Sequence, residues 1–210
     1  ENGSGITLKR SGASNHFSYT RMKVDGQITR DGGIDRFIGS AWMDREYGIW
    51  EQGEWDWFSI QFDDDTELMI YQFDDAEGHV KSDSTGTFVN ADGSCKYLTR
   101  SDFVIEATDT WTSPHTGAEY PSGWRVRVAS LDIDINIQPL IKDQELDTRG
   151  STMIVYWEGA CEVSGTKAQQ NVGGRAYVEL VGYDRSHEKI GLTDFLFGKV
   201  IDQVKGSMPF

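Results

Sequence analysis

The sequence has almost no cysteine: two, Cys95 and Cys161, in 210 residues. A fold stapled by several disulfides is thereby excluded, and one Cys95–Cys161 bridge is the most the pair could form. Neither cysteine has a histidine nearby at zinc-ligand spacing. The four histidines, His16, His79, His115 and His187, are isolated from one another. His79 and His187 sit in polar stretches and read as surface residues, and His115 lies in the turn-rich "WTSPHTGAEYP". His16 opens the aromatic stretch "HFSYTRM" and is the one that suits a pocket. Basic residues are also scarce, 20 against 34 acidic, for a formal net charge of −14. Such a chain has no patch able to displace counterions from phosphates, which argues against nucleic acid, and anionic membrane surfaces repel it. No apolar run approaches the length of a membrane span. A phosphate-binding loop, a dinucleotide fingerprint, a G-x-S-x-G elbow and an H-E-x-x-H helix are all missing. No cofactor and no metal are therefore expected.

What remains is aromatic, glycine-rich and alternating. Aromatics make up 12% of the chain, with 23 glycines and only 4 prolines. "LDIDINIQ", Leu131 to Gln138, places Leu131, Ile133, Ile135 and Ile137 on one face and Asp132, Asp134, Asn136 and Gln138 on the other. That is a half-buried strand. "WRVRVAS" and "RAYVELVGY" alternate likewise. "DWFSIQF" and "ELMIYQF" flank the acidic turn "DDDT" and read as a hairpin from Asp56 to Phe73. The turn lacks the glycine and distal glutamate of a calcium loop, so a solvated turn is expected. Turn signals at "VDG", "RDGG", "ADGS", "PSG" and "VGG" imply roughly nine to twelve strands in an antiparallel barrel or sandwich. One segment, 191–206, has helical spacing: Leu192, Phe195, Leu196, Val200, Ile201 and Val204 form a stripe, with Gly206 as a stop.

Six motifs in order carry a resemblance: "GSAWMDREYG", "WDWFSIQFDDDTELMIYQF", "WTSPHTGAEYP", "DQEL", "YWEGACEVSG" and "GGRAYVELVGY". Together they resemble the family of bacterial carotenoid 1,2-hydratases (hydroxyneurosporene synthases) and AttH-like proteins, with intramolecular Diels–Alderases as distant fungal relatives. The resemblance implies an all-β, antiparallel lipocalin-like (calycin) barrel with a hydrophobic ligand site, here followed by the C-terminal amphipathic helix. It also implies a tandem of two β-domains, of which these motifs match the second. The expected organisation is a junction from a mostly missing first domain over 1–35, a barrel over 36–190 and the helix over 191–206. Self-association, or pairing with a first domain, is expected in consequence. The resemblance leans toward an extracytoplasmic location; the residues themselves assign no compartment.

Hydration of an alkene requires a carbon-protonating acid, a wall that tolerates a tertiary cation, and a positioned water. A carboxyl group in an apolar pocket keeps its proton through desolvation, and indole or phenol faces stabilise the cation. In "AWMDREYG", Trp42 and Asp44 are two residues apart and project to one face of an extended segment, with Glu46 following. By resemblance to the hydratases, Asp44 would be the acid and Trp42 part of the cation-stabilising wall. His16, Tyr19, Trp57, Tyr71 and Trp157 are the candidate ligand contacts. Glu46, Glu145 and Glu158 are read as structural carboxylates satisfied by partners. A second reading of Asp44 stands beside the first, as one end of an ion-pair network. The function expected is binding of a hydrophobic, isoprenoid or polyene-like molecule, with acid-assisted hydration or cyclisation. The alternatives are a non-catalytic carrier and a pericyclase that orders its substrate without acid.

Overall fold

The alternation seen in the sequence becomes strand after strand in a computed structural model of the chain, which describes residues 13–49, 54–74, 79–151 and 154–184. The stripe over 191–206 lies outside the described residues. The described residues form fourteen strands. β1 (Ala13–Arg30) and β2 (Gly33–Ile49) form a long hairpin of their own. β3 (Glu54–Phe62), β4 (Glu67–Asp74), β5 (Thr85–Val89), β6 (Cys95–Thr99) and β7 (Val104–Ala107) follow. β8 (Thr110–Thr112) and β9 (Glu119–Pro121) make a small second hairpin. β10 (Trp124–Val128), β11 (Ile133–Pro139), β12 (Glu145–Asp147), β13 (Val155–Lys167) and β14 (Gln170–Val181) complete the set. The number exceeds the sequence expectation because β8, β9 and β12 span three residues each, too few to show a period.

Ten of these strands form one antiparallel sheet in the order β6-β5-β4-β3-β14-β13-β11-β10-β7, with β12 also paired to β13. The sheet curls around one continuous core. Phe58, Ile60, Leu68, Ile70, Trp124, Val126, Ile135, Ile137, Trp157, Val178 and Leu180 are all buried in that cluster. Phe58 meets Trp124 edge to face at 5.6 Å, and the Trp157 indole N–H donates to the Lys142 carbonyl at 2.7 Å. Large rings therefore fill the inside of the curl, the Trp157 indole with its polar end satisfied and the Trp124 N–H without a partner among the described residues. The Asp56-to-Phe73 hairpin pairs as the sequence implies, and its turn carboxylate Asp64 is held by Lys167.

The strands divide into two kinds. β10 alternates buried and half-buried positions, as a sheet with one wet face should. Residues 56–60 of β3 and 67–71 of β4 are buried without interruption, so these strands are covered on both faces. The second cover is the β1–β2 hairpin. Its turn at Asp31 and Gly32 has φ of 49° and 79°, the positive values of a primed hairpin turn. A register shift between Tyr19 and Met22 marks a bulge, and the bulge delivers Arg21 onto the sheet. There the Arg21 guanidinium forms an ion pair with the buried Glu67 and donates to the Phe62 carbonyl at 2.9 Å. Gln61 Nε2 donates to the Thr20 carbonyl at 2.6 Å, and Ser40 Oγ donates to Gln61 Oε1 at 2.9 Å. The far end of the hairpin stands clear of the sheet, with Ile34 and Ile38 exposed.

Candidate functional site

Strand parity builds the site. Residues 58 and 60 of β3 point into the core, so 57, 59 and 61 point outward. Four outward residues align directly across the sheet: Glu158 on β13, Glu179 on β14, Trp57 on β3 and Tyr71 on β4. This row is the floor of a cleft of about 580 Å³, and the hairpin is its roof. One face of the hairpin supplies His16, Trp42, Asp44 and Glu46. The cavity therefore lies outside the curled sheet, between the sheet and the hairpin.

The roof is organised around Asp44. Its Oδ1 accepts from the Ser18 hydroxyl directly across the hairpin and from the Trp42 indole N–H at 3.0 Å. His16 Nε2 lies 3.3 Å from the same oxygen. His16 is 4% exposed, and its Nδ1 has no hydrogen-bond partner among the described residues. Roof and floor meet through rings: Trp42 against Trp57 at 6.2 Å, and His16 edge-on to Tyr71 at 6.3 Å. Trp57, Met69 and Tyr71 form a small buried cluster there, distinct from the main core.

On the floor the carboxylates crowd one another. Burial pushes Glu179 up to about 7; Glu158 opposite it adds to the push, as do Asp44 and Glu46 from the roof, against the Trp55 indole. Burial also raises Glu158, although Tyr156 opposes the change. The Tyr71 phenol is raised by its burial and by Glu46, Glu179 and Asp44. The one arginine in the wall, Arg175, is engaged by Glu162 at 3.3 Å. The cleft thus combines an aromatic wall, a carboxyl group raised to about 7, and further carboxylates around it.

Of the residues singled out in the sequence, Asp44, Trp42, His16, Trp57, Tyr71, Glu46 and Glu158 line this cleft. Tyr19 is 57% exposed, and Trp157 is packed in the main core; neither lines it. Glu145 lies elsewhere and accepts from Ser113 Oγ at 2.5 Å, Thr116 Oγ1 at 2.6 Å and the Tyr120 hydroxyl at 3.0 Å. Glu179 was not singled out by sequence reasoning. It shares strand parity with Arg175 and Tyr177 in "RAYVELVGY", and parity alone does not separate a covered carboxylate from a solvated one. The available signal was in β3 and β4, whose apolar residues on both faces require a cover on both.

The profile of the AttH-like family matches residues 1–183. A crystal structure of a protein named AttH from Nitrosomonas europaea is 34% identical and superposes with a TM-score of 0.74, over 85% of this chain and 56% of that one. Kievitone hydratase from Nectria haematococca is 20% identical with a TM-score of 0.67, over 86% of this chain and 56% of that one. The second likeness is one of fold. The chain spans 56% of the length of each of these structures. No curated protein sequence matches it. The fold is the lipocalin-like one that the motifs imply, and the chain belongs to the AttH-like family.

Proposed function

We propose that the cleft between the hairpin and the outer face of the sheet binds a hydrophobic, isoprenoid or polyene-like molecule and promotes acid-assisted hydration or cyclisation of its alkene. The observation that carries this reading is Glu179: a half-buried carboxyl group paired across the sheet with Trp57 on one side and with a second carboxylate, Glu158, on the other, and pushed up to about 7. Such a group keeps a protonated fraction near neutrality, which an ordinary carboxyl does not, and sits where a cation is welcome. In the step proposed, the alkene π pair takes the Glu179 proton to form a C–H bond, leaving a tertiary cation at the other carbon. The indoles of Trp42 and Trp57 and the four carboxyl groups of the cleft stabilise that charge. Water oxygen, or a second alkene in cyclisation, then forms a bond to the cation. The proton released passes to the Asp44–His16 pair or back to Glu179.

Asp44 differs from Glu179 in this scheme. Three groups already converge on its Oδ1, which suits a base that orients water better than an acid facing carbon. One protein of this fold, kievitone hydratase, is by name a hydratase, so the fold accommodates the chemistry. The test uses an isoprenoid bearing a trisubstituted alkene in deuterium oxide, with mass spectrometry of the product. Glu179→Gln should abolish deuterium incorporation at carbon while ligand binding stays near normal. Full turnover by Glu179→Gln would remove the acid mechanism, and turnover without deuterium uptake would point to a pericyclase. Tight binding with no turnover by the native protein would identify a carrier.

A further inference from the structure

We propose that the ligand of this cleft carries a protonated amine. The inference rests on the cleft being the ligand site described above, and it adds the ligand's charge without requiring any reaction. Its first support is the sign of the wall. Asp44, Glu46, Glu158 and Glu179 all line the cavity, and the arginine among them is already committed to Glu162. An anionic ligand is repelled here, and a purely neutral one leaves the field unused.

The second support is aromatic. Trp42 and Trp57 lie at 78° to each other and Tyr71 closes the same space, so π faces are presented in more than one direction. Rings grouped in this way beside carboxylates attract organic cations, most strongly when water is excluded.

The third support decides between kinds of cation. His16 is buried, with Nε2 beside Asp44 and Nδ1 without a hydrogen-bond partner among the described residues. When Nε2–H donates to Asp44, Nδ1 is left as a bare acceptor, because a neutral imidazole has one donor and one acceptor. A buried acceptor is costly until something donates to it. An ammonium N–H satisfies both the acceptor and the field, whereas a quaternary ammonium satisfies the field alone. The substrate class is therefore an amine that also carries the alkene, held by its N–H at His16 and by its charge among the carboxylates.

Four probes with one aromatic body separate these contributions in isothermal titration of the full chain at pH 7.5. They are tryptamine, its N,N,N-trimethyl ammonium, neutral 3-ethylindole and anionic indole-3-propionate. Tryptamine should bind about tenfold more tightly than 3-ethylindole and about threefold more tightly than the quaternary compound, with no detectable binding of the propionate. Glu158→Gln should weaken tryptamine several-fold, while Asp92→Asn, which removes the same charge from a remote turn, should leave it unchanged. Equal affinity for tryptamine and 3-ethylindole would overturn the inference, as would tryptamine failing to bind at millimolar concentration. An equal effect of the two carboxylate substitutions would show bulk attraction to an acidic protein and overturn it too. Parity of tryptamine with the quaternary compound would remove the His16 contact. Amine binding that survives a failed hydration assay would sink the reaction but leave the amine inference standing; the converse would sink the amine alone.

Discussion

Glu158 and Glu179 face each other directly across β13 and β14, in the floor row shared with Trp57 and Tyr71. Like charges at opposed positions of an antiparallel pair repel, so burial and pairing together favour a proton on this pair. The upward shift of both carboxyl groups thus follows from desolvation together with strand register, the feature that also sets the floor of the cleft.

Stability should fall as pH rises toward and past 7. Glu179 goes from an ordinary 4.5 to about 7 through desolvation first, with Glu158, Asp44 and Glu46 adding to it against the Trp55 indole, and His16 across the cleft. Asp56 goes from 3.8 to about 7 through burial and the nearby Asp74, against the Tyr183 hydroxyl bound to it at 2.9 Å. In both cases the folded chain holds a proton that the unfolded chain has released. The stabilisation is complete below the ordinary values and is lost as pH climbs through about 7. Glu179→Gln should gain on the native protein by about 2–3 kcal/mol at pH 8.5 and show no gain at pH 4. Urea titrations at the two pH values measure this, and an equal gain at both would contradict it.

The hairpin should detach before the sheet unfolds. Its anchor is the ion pair of Arg21 with Glu67, a carboxylate only 4% exposed. Arg21→Ala strands that charge, a change worth about 3–5 kcal/mol. Hydrogen exchange should then rise across residues 14–48, with β10 and β11 unaffected. Arg21→Met with Glu67→Leu should restore most of the protection. Uniform loss over the whole sheet would mean the hairpin is integral to the core.

Glu145 holds the β8–β9 loop through three hydroxyl donors, from Ser113, Thr116 and Tyr120. Glu145→Ala should cost about 2–3 kcal/mol, since bonds to a charged acceptor are the stronger kind. Circular dichroism melts would show it, and cleavage near Thr116 by a nonspecific protease should accelerate. A variant melting with the native protein would leave Glu145 without a structural role.

The two thiols should react very differently. Cys95 is exposed, whereas Cys161 is buried and its thiol is pushed up to about 12. Ellman's reagent should titrate one thiol in the native protein and a second only in denaturant. Two fast thiols would show that β13 does not pack as described.

Much of this was legible in the sequence. "LDIDINIQ" announces Ile133, Ile135 and Ile137 as core, and "WRVRVAS" does the same for Trp124, Val126 and Val128, because period-two patterning is how a strand with one wet face is written. The pairing of Trp42 with Asp44 is likewise local, since residues two apart on a strand share a face. What escaped was longer in range. That Glu179 lies under a roof depends on which strand pairs with β14 and where the hairpin folds back. Neither is encoded within a few residues of position 179. Trp157 shows the opposite failure: an aromatic residue in a signature motif is equally consistent with a ligand wall and with a core, and its parity with Cys161 and Val163 places it in the core.

The division between a filled sheet interior and a cleft on its outside has a consequence for how such a protein can change. Where a barrel houses its ligand internally, each change of specificity disturbs the packing that keeps the fold together. Here Phe58, Trp124 and Trp157 stabilise the molecule on one side of β3 and β14, while Trp57 and Glu179 face the cleft on the other. New side chains on the outward parity, or a hairpin of different sequence, can reshape recognition while the inward parity stays untouched. Cleft and core are inherited through alternate letters of the same strands.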